Sequence, residues 1–291
     1  MNPDILLRLV ELLGYGITLA GLRLLIHRTG FLSLGEGAFA AIGAYTTAIL
    51  STLIGIPAAL TVPLAGGLAF IAGTFISLPA LAFSANQQVS AIYLLLASLG
   101  LTLATPYILQ LPGLIDWTGG AGGLVLDTHP SVGLALTCVL AIPLIVATQM
   151  PIATRSPRPL MLSHDPQAAV PIANGAFALP LLFGLSAGFA ACAGSLLVLT
   201  LGFISPELFF PVPSLVLLLG LLLVGTGSVW GLVVGALLTA FVAPLIGSVF
   251  ARFGEDAELF LTVLYGAAIV ACVVFMPRGL MGLWQRRETP S

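Results

Sequence analysis

The chain has 291 residues, 59% of them hydrophobic and 7% charged, with a formal net charge of −2. An average soluble domain is about 25% charged, so this composition cannot cover a water-facing surface. It excludes a soluble globular protein and, lacking a basic patch, a nucleic-acid binder; what remains is an all-α polytopic membrane protein. Long apolar runs without strand-like alternation argue against an outer-membrane barrel.

Every basic residue other than histidine is arginine; the sequence contains no lysine. A phosphate-binding P-loop needs its lysine, and Schiff-base catalysis needs one too. Neither belongs to this chain, which reads as no enzyme. Cys138, Cys192 and Cys272 are scattered through apolar segments and read as small packing residues. They suit neither a disulfide framework nor a metal site.

The opening "MNPDILLRLVELLGYG" lacks a basic start and a small-residue cleavage site, so no removable signal peptide is expected. A bilayer crossing takes about 20 apolar residues. Nine segments qualify: 5–26, 36–54, 57–78, 90–110, 130–149, 176–200, 211–226, 228–247 and 257–276. In the first, Arg8 and Glu11 can pair on one helical face.

The second segment follows "FLSLGEG" and begins at its only charge, Glu36. Ser33 and Glu36 fit the capping-box pattern, in which hydroxyl and carboxylate satisfy the free N–H groups of a helix start. The carboxylate also suits the positive end of the helix dipole. A second reading has Glu36 line a polar path through the membrane, as intramembrane ionisable groups often do, and the two are compatible. Beyond it, Gly37, Ala41, Ala44 and Ala48 form a small-residue face for close helix packing. Gly227, Gly231 and Gly235 form another.

The turn "TGGAGG" at 118–123 resembles a phosphate loop but has no lysine, and reads as a flexible external turn. The only sizeable polar loop, 150–175, is broken by Pro157, Pro159, Pro166 and Pro171. A short helix starting at Ser163 fits within it, capped by Ser163 or Asp165. It is either a docking site for a partner or a plain connector. Gly184, Ser186 and Gly188 match G-x-S-x-G, but mid-span and without a strand before them, so a packing pair is expected rather than a hydrolase elbow. His27, His129 and His164 are too far apart to suggest a site.

Arginines set the orientation. Arg278, Arg286 and Arg287 place the C-terminus in the cytoplasm, as Arg155 and Arg158 do for the loop 150–175. With nine spans the N-terminus is outside. The loops "GLIDWTGGAGG", "ISPELFFP" and "RFGEDAE" are then external as well. "GFLS" at Gly30 and "GFIS" at Gly202, each followed within three residues by a glutamate, fall on opposite sides, as inverted repeats do.

Taken together, "GFLSLGEGAFAAIGAYTTAIL", "TGGAGGL", "LGFISPELF", "LLLVGTGSVWGLVVGALL" and "FMPRGLMGLW" resemble the branched-chain amino acid ABC transporter permeases, in that family's order over about residues 12–284. The likeness is greatest to the second permease subunit of such systems, and urea and short-chain amide permeases are similar.

The resemblance implies one transmembrane permease domain, 1–291, with a type II ABC importer-like fold. It also implies a bacterial inner-membrane location and a cargo of branched-chain or related amino acids. Urea, amides or carboxylates are the alternative cargo. The implied partners are a second permease subunit forming a heterodimer, two cytoplasmic ATPases that bind ATP and Mg, and a periplasmic substrate-binding protein. No cofactor or metal belongs to this chain.

Glu36 and Gly37, with Thr118 and Gly119, are the pathway residues the resemblance suggests. His164, Asp165, Gln167, Ala168, Ala169 and Asn174 fall where the family docks its ATPase. Many relatives have His where this chain has Glu36, and the docking segment here has Ile172 in place of a glycine. A stand-alone ion-coupled secondary transporter, with Glu36 as the coupling carboxylate, is the alternative from a different class.

Overall fold

The computed structural model describes residues 3–83, 86–126, parts of 132–140, 178–209, 211–224, 230–250 and 257–275. The chain starts with helices α1 (Pro3–Thr29), α2 (Glu36–Thr52), α3 (Ala58–Ser77) and α4 (Gln87–Ile108). A short α5 (Ile115–Thr118) leads through a 3₁₀ turn to strand β1 (Leu124–Val125). After the loop come α6 (Ala178–Leu201), β2 (Phe203–Ile204), a 3₁₀ turn at Pro206–Phe209, and α7 (Pro211–Val224). Then α8 (Trp230–Leu237) runs through a π turn at Leu238–Val242 into α9 (Ala243–Phe250), and α10 (Ala257–Phe275) follows. Expected and observed helix ends agree within about three residues at every fully described span, a normal spread for boundaries.

Five helical stretches are long and apolar enough to cross a membrane: Leu7–Thr29, Ala58–Phe83, Gln88–Ile108, Ala178–Leu201 and Pro206–Leu223. Among the described residues the nine expected spans therefore reduce to these five plus shorter apolar helices. Segment 130–149 lies largely outside the described residues, and α2 has only 17 residues. The protein is a mostly helical membrane protein.

The hub is α6. Small residues let three helices press against its backbone, the arrangement that drives association where lipid removes the hydrophobic incentive. A side chain on Gly43 of α2 would collide with the Ala191 backbone, and one on Gly194 with the Ala40 carbonyl. On α3, Gly66 sits against Cys192 and Gly188, while Gly73 sits against Ala187 and Gly184. On α1, Gly21 sits against Ser186 and Phe189, and Gly14 against Ala193. The pairs show direction: α1 and α3 run antiparallel to α6, whereas α2, bonded first at Glu36 to Ser186 and a turn or two on at Gly43 O to Ser195 Oγ at 3.0 Å, runs parallel to it. This is the alternation that the sequence reading of orientation requires for these helices.

Gly184 and Gly188 are a packing pair as expected, and Cys192 packs against Gly66 and the Val62 carbonyl. Arg8 and Glu11 form the expected ion pair at 3.0 Å. Of the second glycine ridge, Gly235 packs against the Gly220 carbonyl of α7. Gly231 falls within α8, and Gly227 lies outside the described residues.

Between α1 and α2 the chain is not helical. Gly30–Gly35 is wholly buried. Gly21 and Ser186 lie level with one another, eight residues before the end of α1 and eight after the start of α6. At a rise of about 1.5 Å per residue, that level is ~12 Å inside either helix end. Glu36 opens α2 at this level, bonded to Ser186. The six residues 30–35 thus carry the chain from the end of α1 back into the bundle interior.

Candidate functional site

The site is built around this break. Helix α1 ends on Gly30, whose φ of 76° is the left-handed conformation that glycine adopts without strain. The Gly30 N–H donates to Ile26 O at 2.8 Å, closing the end of the helix. The exposed polar groups of the next residues find partners across the bundle. Leu34 N–H donates to Ser98 Oγ at 3.0 Å, and Thr102 Oγ1 donates to Leu34 O at 2.7 Å. Ser98 and Thr102 lie one turn apart on α4, so a single helical face serves both backbone groups of Leu34.

The expected capping box does not form. The N-cap of α2 is Gly35, without a side-chain cap bond. The Ser33 hydroxyl instead accepts from Gly35 N–H at 3.1 Å. Glu36, 1% exposed, turns across to α6, where Oε1 accepts from Ser186 Oγ at 3.3 Å. Its Oε2 has no hydrogen-bond partner among the described residues. A carboxylate oxygen buried in this way is costly unless something supplies a proton or a donor. The same helix buries two more polar atoms without a hydrogen-bond partner among the described residues, Tyr45 Oη and Thr47 Oγ1. One turn of the helix start is tied elsewhere: Gly37 N–H donates to Ser214 Oγ of α7 at 2.8 Å.

The four expected pathway residues lie on two elements that touch, α2 and the short α5 with the glycine that ends it. Glu36 and Gly37 stand at the start of α2. Thr118 Oγ1 donates to Leu109 O at 2.6 Å and Leu114 O at 2.9 Å, and accepts from Gly120 N–H. Gly119 has φ +71° and would strike Gly123 O if it carried a side chain. Both residues thus serve a turn closed by its own hydrogen bonds, more ordered than "TGGAGG" suggested. That turn leads into β1, which pairs antiparallel with β2, matching Leu124 with Ile204. Two loops expected on one side of the membrane are therefore in contact. His164, Asp165, Gln167, Ala168, Ala169 and Asn174 lie outside the described residues.

Ser98, Thr102, Ser186 and Ser214 are the site residues that the sequence reading missed. The available signal was a hydroxyl buried in an otherwise apolar span, doubled for Ser98 and Thr102 by their four-residue spacing.

A helical membrane bundle whose helices break inside it, with a buried carboxylate at one break, has the features of a membrane transporter. The profile for "Branched-chain amino acid transport system / permease component" matches residues 5–153, and the chain belongs to this family. It is 28% identical over 288 residues to the high-affinity branched-chain amino acid transport system permease protein LivM of Escherichia coli (strain K12). It is 27% identical over 296 residues to the protein of the same name from Salmonella typhimurium (strain LT2). Each comparison covers 90% of this chain and 66% of the relative, so the chain spans just under two thirds of their length. No solved structure matches it.

Proposed function

We propose that this chain is a transmembrane permease subunit of a bacterial ABC importer for branched-chain or related amino acids. It forms one transmembrane domain with a type II importer-like fold in the inner membrane, its C-terminus in the cytoplasm. Its partners in this reading are a second permease subunit, two cytoplasmic ATPases and a periplasmic binding protein. Family membership supports the class, and the names of the relatives support the cargo. The observation that carries the reading to particular residues is the buried break at 30–35 with Glu36 at its end. Backbone that is not helical at membrane depth is tolerated only where protein covers it or where it lines a water-filled cavity, and transporters place cargo contacts at such breaks.

The chain makes and breaks no covalent bond. ATP closes the two ATPases, which pull on the loop 150–175 through His164, Asp165, Gln167, Ala168, Ala169 and Asn174. The two permeases then rock about their shared interface, opening the path toward the docked binding protein, and hydrolysis resets them. Glu36 and Gly37 contact the path.

The test is purification of the tagged chain from its host in mild detergent, with its partners identified by mass spectrometry. Recovery of a second multi-span permease and two soluble ATPases is the expected result. A chain that purifies alone, stable and monodisperse, overturns it. The unpartnered Oε2 of Glu36 favours a second reading, an ion-coupled transporter. There, Glu36→Gln abolishes coupling to a proton gradient, whereas in the importer uptake still requires ATP.

A further inference from the structure

The two "GF-S" segments set out from the sequence prove to be matched in geometry. Gly202 ends α6 as Gly30 ends α1: its φ is 67° against 76°, and its N–H donates to Val198 O at 2.9 Å as that of Gly30 does to Ile26 O at 2.8 Å. Both are left-handed helix stops closed by the same bond four residues back. The two glycines are 172 positions apart (202 less 30). The same offset carries Gly21 onto Ala193 and Gly14 onto Ser186. These four residues make the crossing of α1 and α6. A methyl group on Gly21 would lie 3.3 Å from Ser186 Cα, and one on Gly14 would lie 3.9 Å from Ala193 Cβ. Each pair is the image of the other under exchange of the two segments, as a two-fold axis through an antiparallel crossing requires.

The helices that follow obey the same relation. Past Gly202 the chain passes beside the upper part of α2, where Phe209 packs on Tyr45 with ring centroids 6.3 Å apart. Further on, Leu215, Leu218 and Leu221 of α7 pack with Leu32 and Leu34. So α2 and α7 begin side by side at Gly37 and Ser214 and run in opposite directions.

We infer that α1–α2 and α6–α7 are inverted repeats, and that the Gly37–Ser214 pair at their meeting point is a gate whose two sides part during transport. The inference rests on the transporter reading above for what passes the gate, but not for the repeat itself. Two contrasts in contact chemistry locate the moving joint. At the α2–α6 crossing Gly43 is pressed on the Ala191 backbone and Gly194 on that of Ala40, and at the α1–α6 crossing Gly21 sits tightly against Phe189 and Ser186, contacts that leave little room to slide. At the α2–α7 meeting Gly37 instead lies against a side chain, its N–H donating to the Ser214 hydroxyl with Thr102 beside it, groups that water or cargo replaces easily. In addition, the first turns of two helices meet there, with the Glu36 carboxylate at the start of α2.

Two cysteine pairs in a complex lacking Cys138, Cys192 and Cys272 test this. Gly14→Cys with Ala193→Cys bridges the fixed crossing, where the 3.9 Å separation suits a disulfide. Gly37→Cys with Ser214→Cys bridges the gate. Oxidation of the gate pair is expected to lower leucine uptake by about tenfold or more, reversibly with reductant, while oxidation of the crossing pair leaves it within about twofold. Unchanged uptake with the gate pair bridged overturns the proposal. A milder variant guards against misfolding. Ser214→Cys alone should react with a soluble maleimide about tenfold faster in one transport state than in the other. Equal protection in nucleotide-free and ATP-trapped complex overturns the gate. Failure of the importer reading shows separately, as a parent complex without ATP-driven uptake, and labelling of substrate-free against substrate-loaded protein then decides the gate.

Discussion

The two helix breaks start alike and are held differently. At 30–35 the backbone is held by side-chain hydroxyls, with Ser98 and Thr102 of α4 taking both polar groups of Leu34, and Thr29 and Ser33 accepting from Phe31 and Gly35 N–H. At 202–204 it is satisfied by backbone, with β2 pairing on β1 and Leu126 N–H donating to Gly202 O at 2.8 Å. Both solutions pair backbone groups that the end of a helix leaves free. They differ in what a mutation can reach. Side-chain support is removed by replacing the side chain, whereas ladder support yields only to a change that alters the backbone.

The comparison breaks most sharply at Gly123, which has φ +72° and would strike Ile204 O if it bore a side chain. Gly123→Val should separate β1 from β2 and cost about 3 kcal/mol, seen as a large fall in the unfolding temperature of the detergent-purified protein. Next, Ser98→Ala combined with Thr102→Val strands the N–H and C=O of Leu34. A loss of about 2–3 kcal/mol is expected in the same assay, and full stability would show that the first break does not depend on α4.

Gly30→Ala and Gly202→Ala sharpen the likeness rather than the difference. Each should lose about 1–2 kcal/mol, because an L side chain is disfavoured in the left-handed region. A clear inequality between them would break the equivalence of the two stops. Smallest of all, Val125→Thr keeps the β1 backbone and should stay within about 0.5 kcal/mol of the parent.

Much of the bundle was legible in the sequence because its signals are local. The spans 5–26 and 176–200 showed as apolar runs, and the packing role of Gly184 and Gly188 followed from their place mid-span. The partners of Glu36 were not legible. Ser33, three residues before it, invited a capping box, but the carboxylate turned to Ser186, 150 positions away. Which of two compatible polar partners wins depends on the height at which α6 crosses α2, and that is set by Gly43 and Gly194 rather than by anything near Glu36. The bonds that close the turn at Thr118 and Gly119 were not legible either, because Thr118 reaches back to Leu109 and Leu114 and Gly119 is fixed by its approach to Gly123.

The most direct test of the functional account is uptake of radiolabelled leucine by proteoliposomes containing the complex co-purified with this chain. The account predicts accumulation that requires both ATP and the binding protein. Uptake that proceeds without ATP on a proton gradient and vanishes in Glu36→Gln would contradict it.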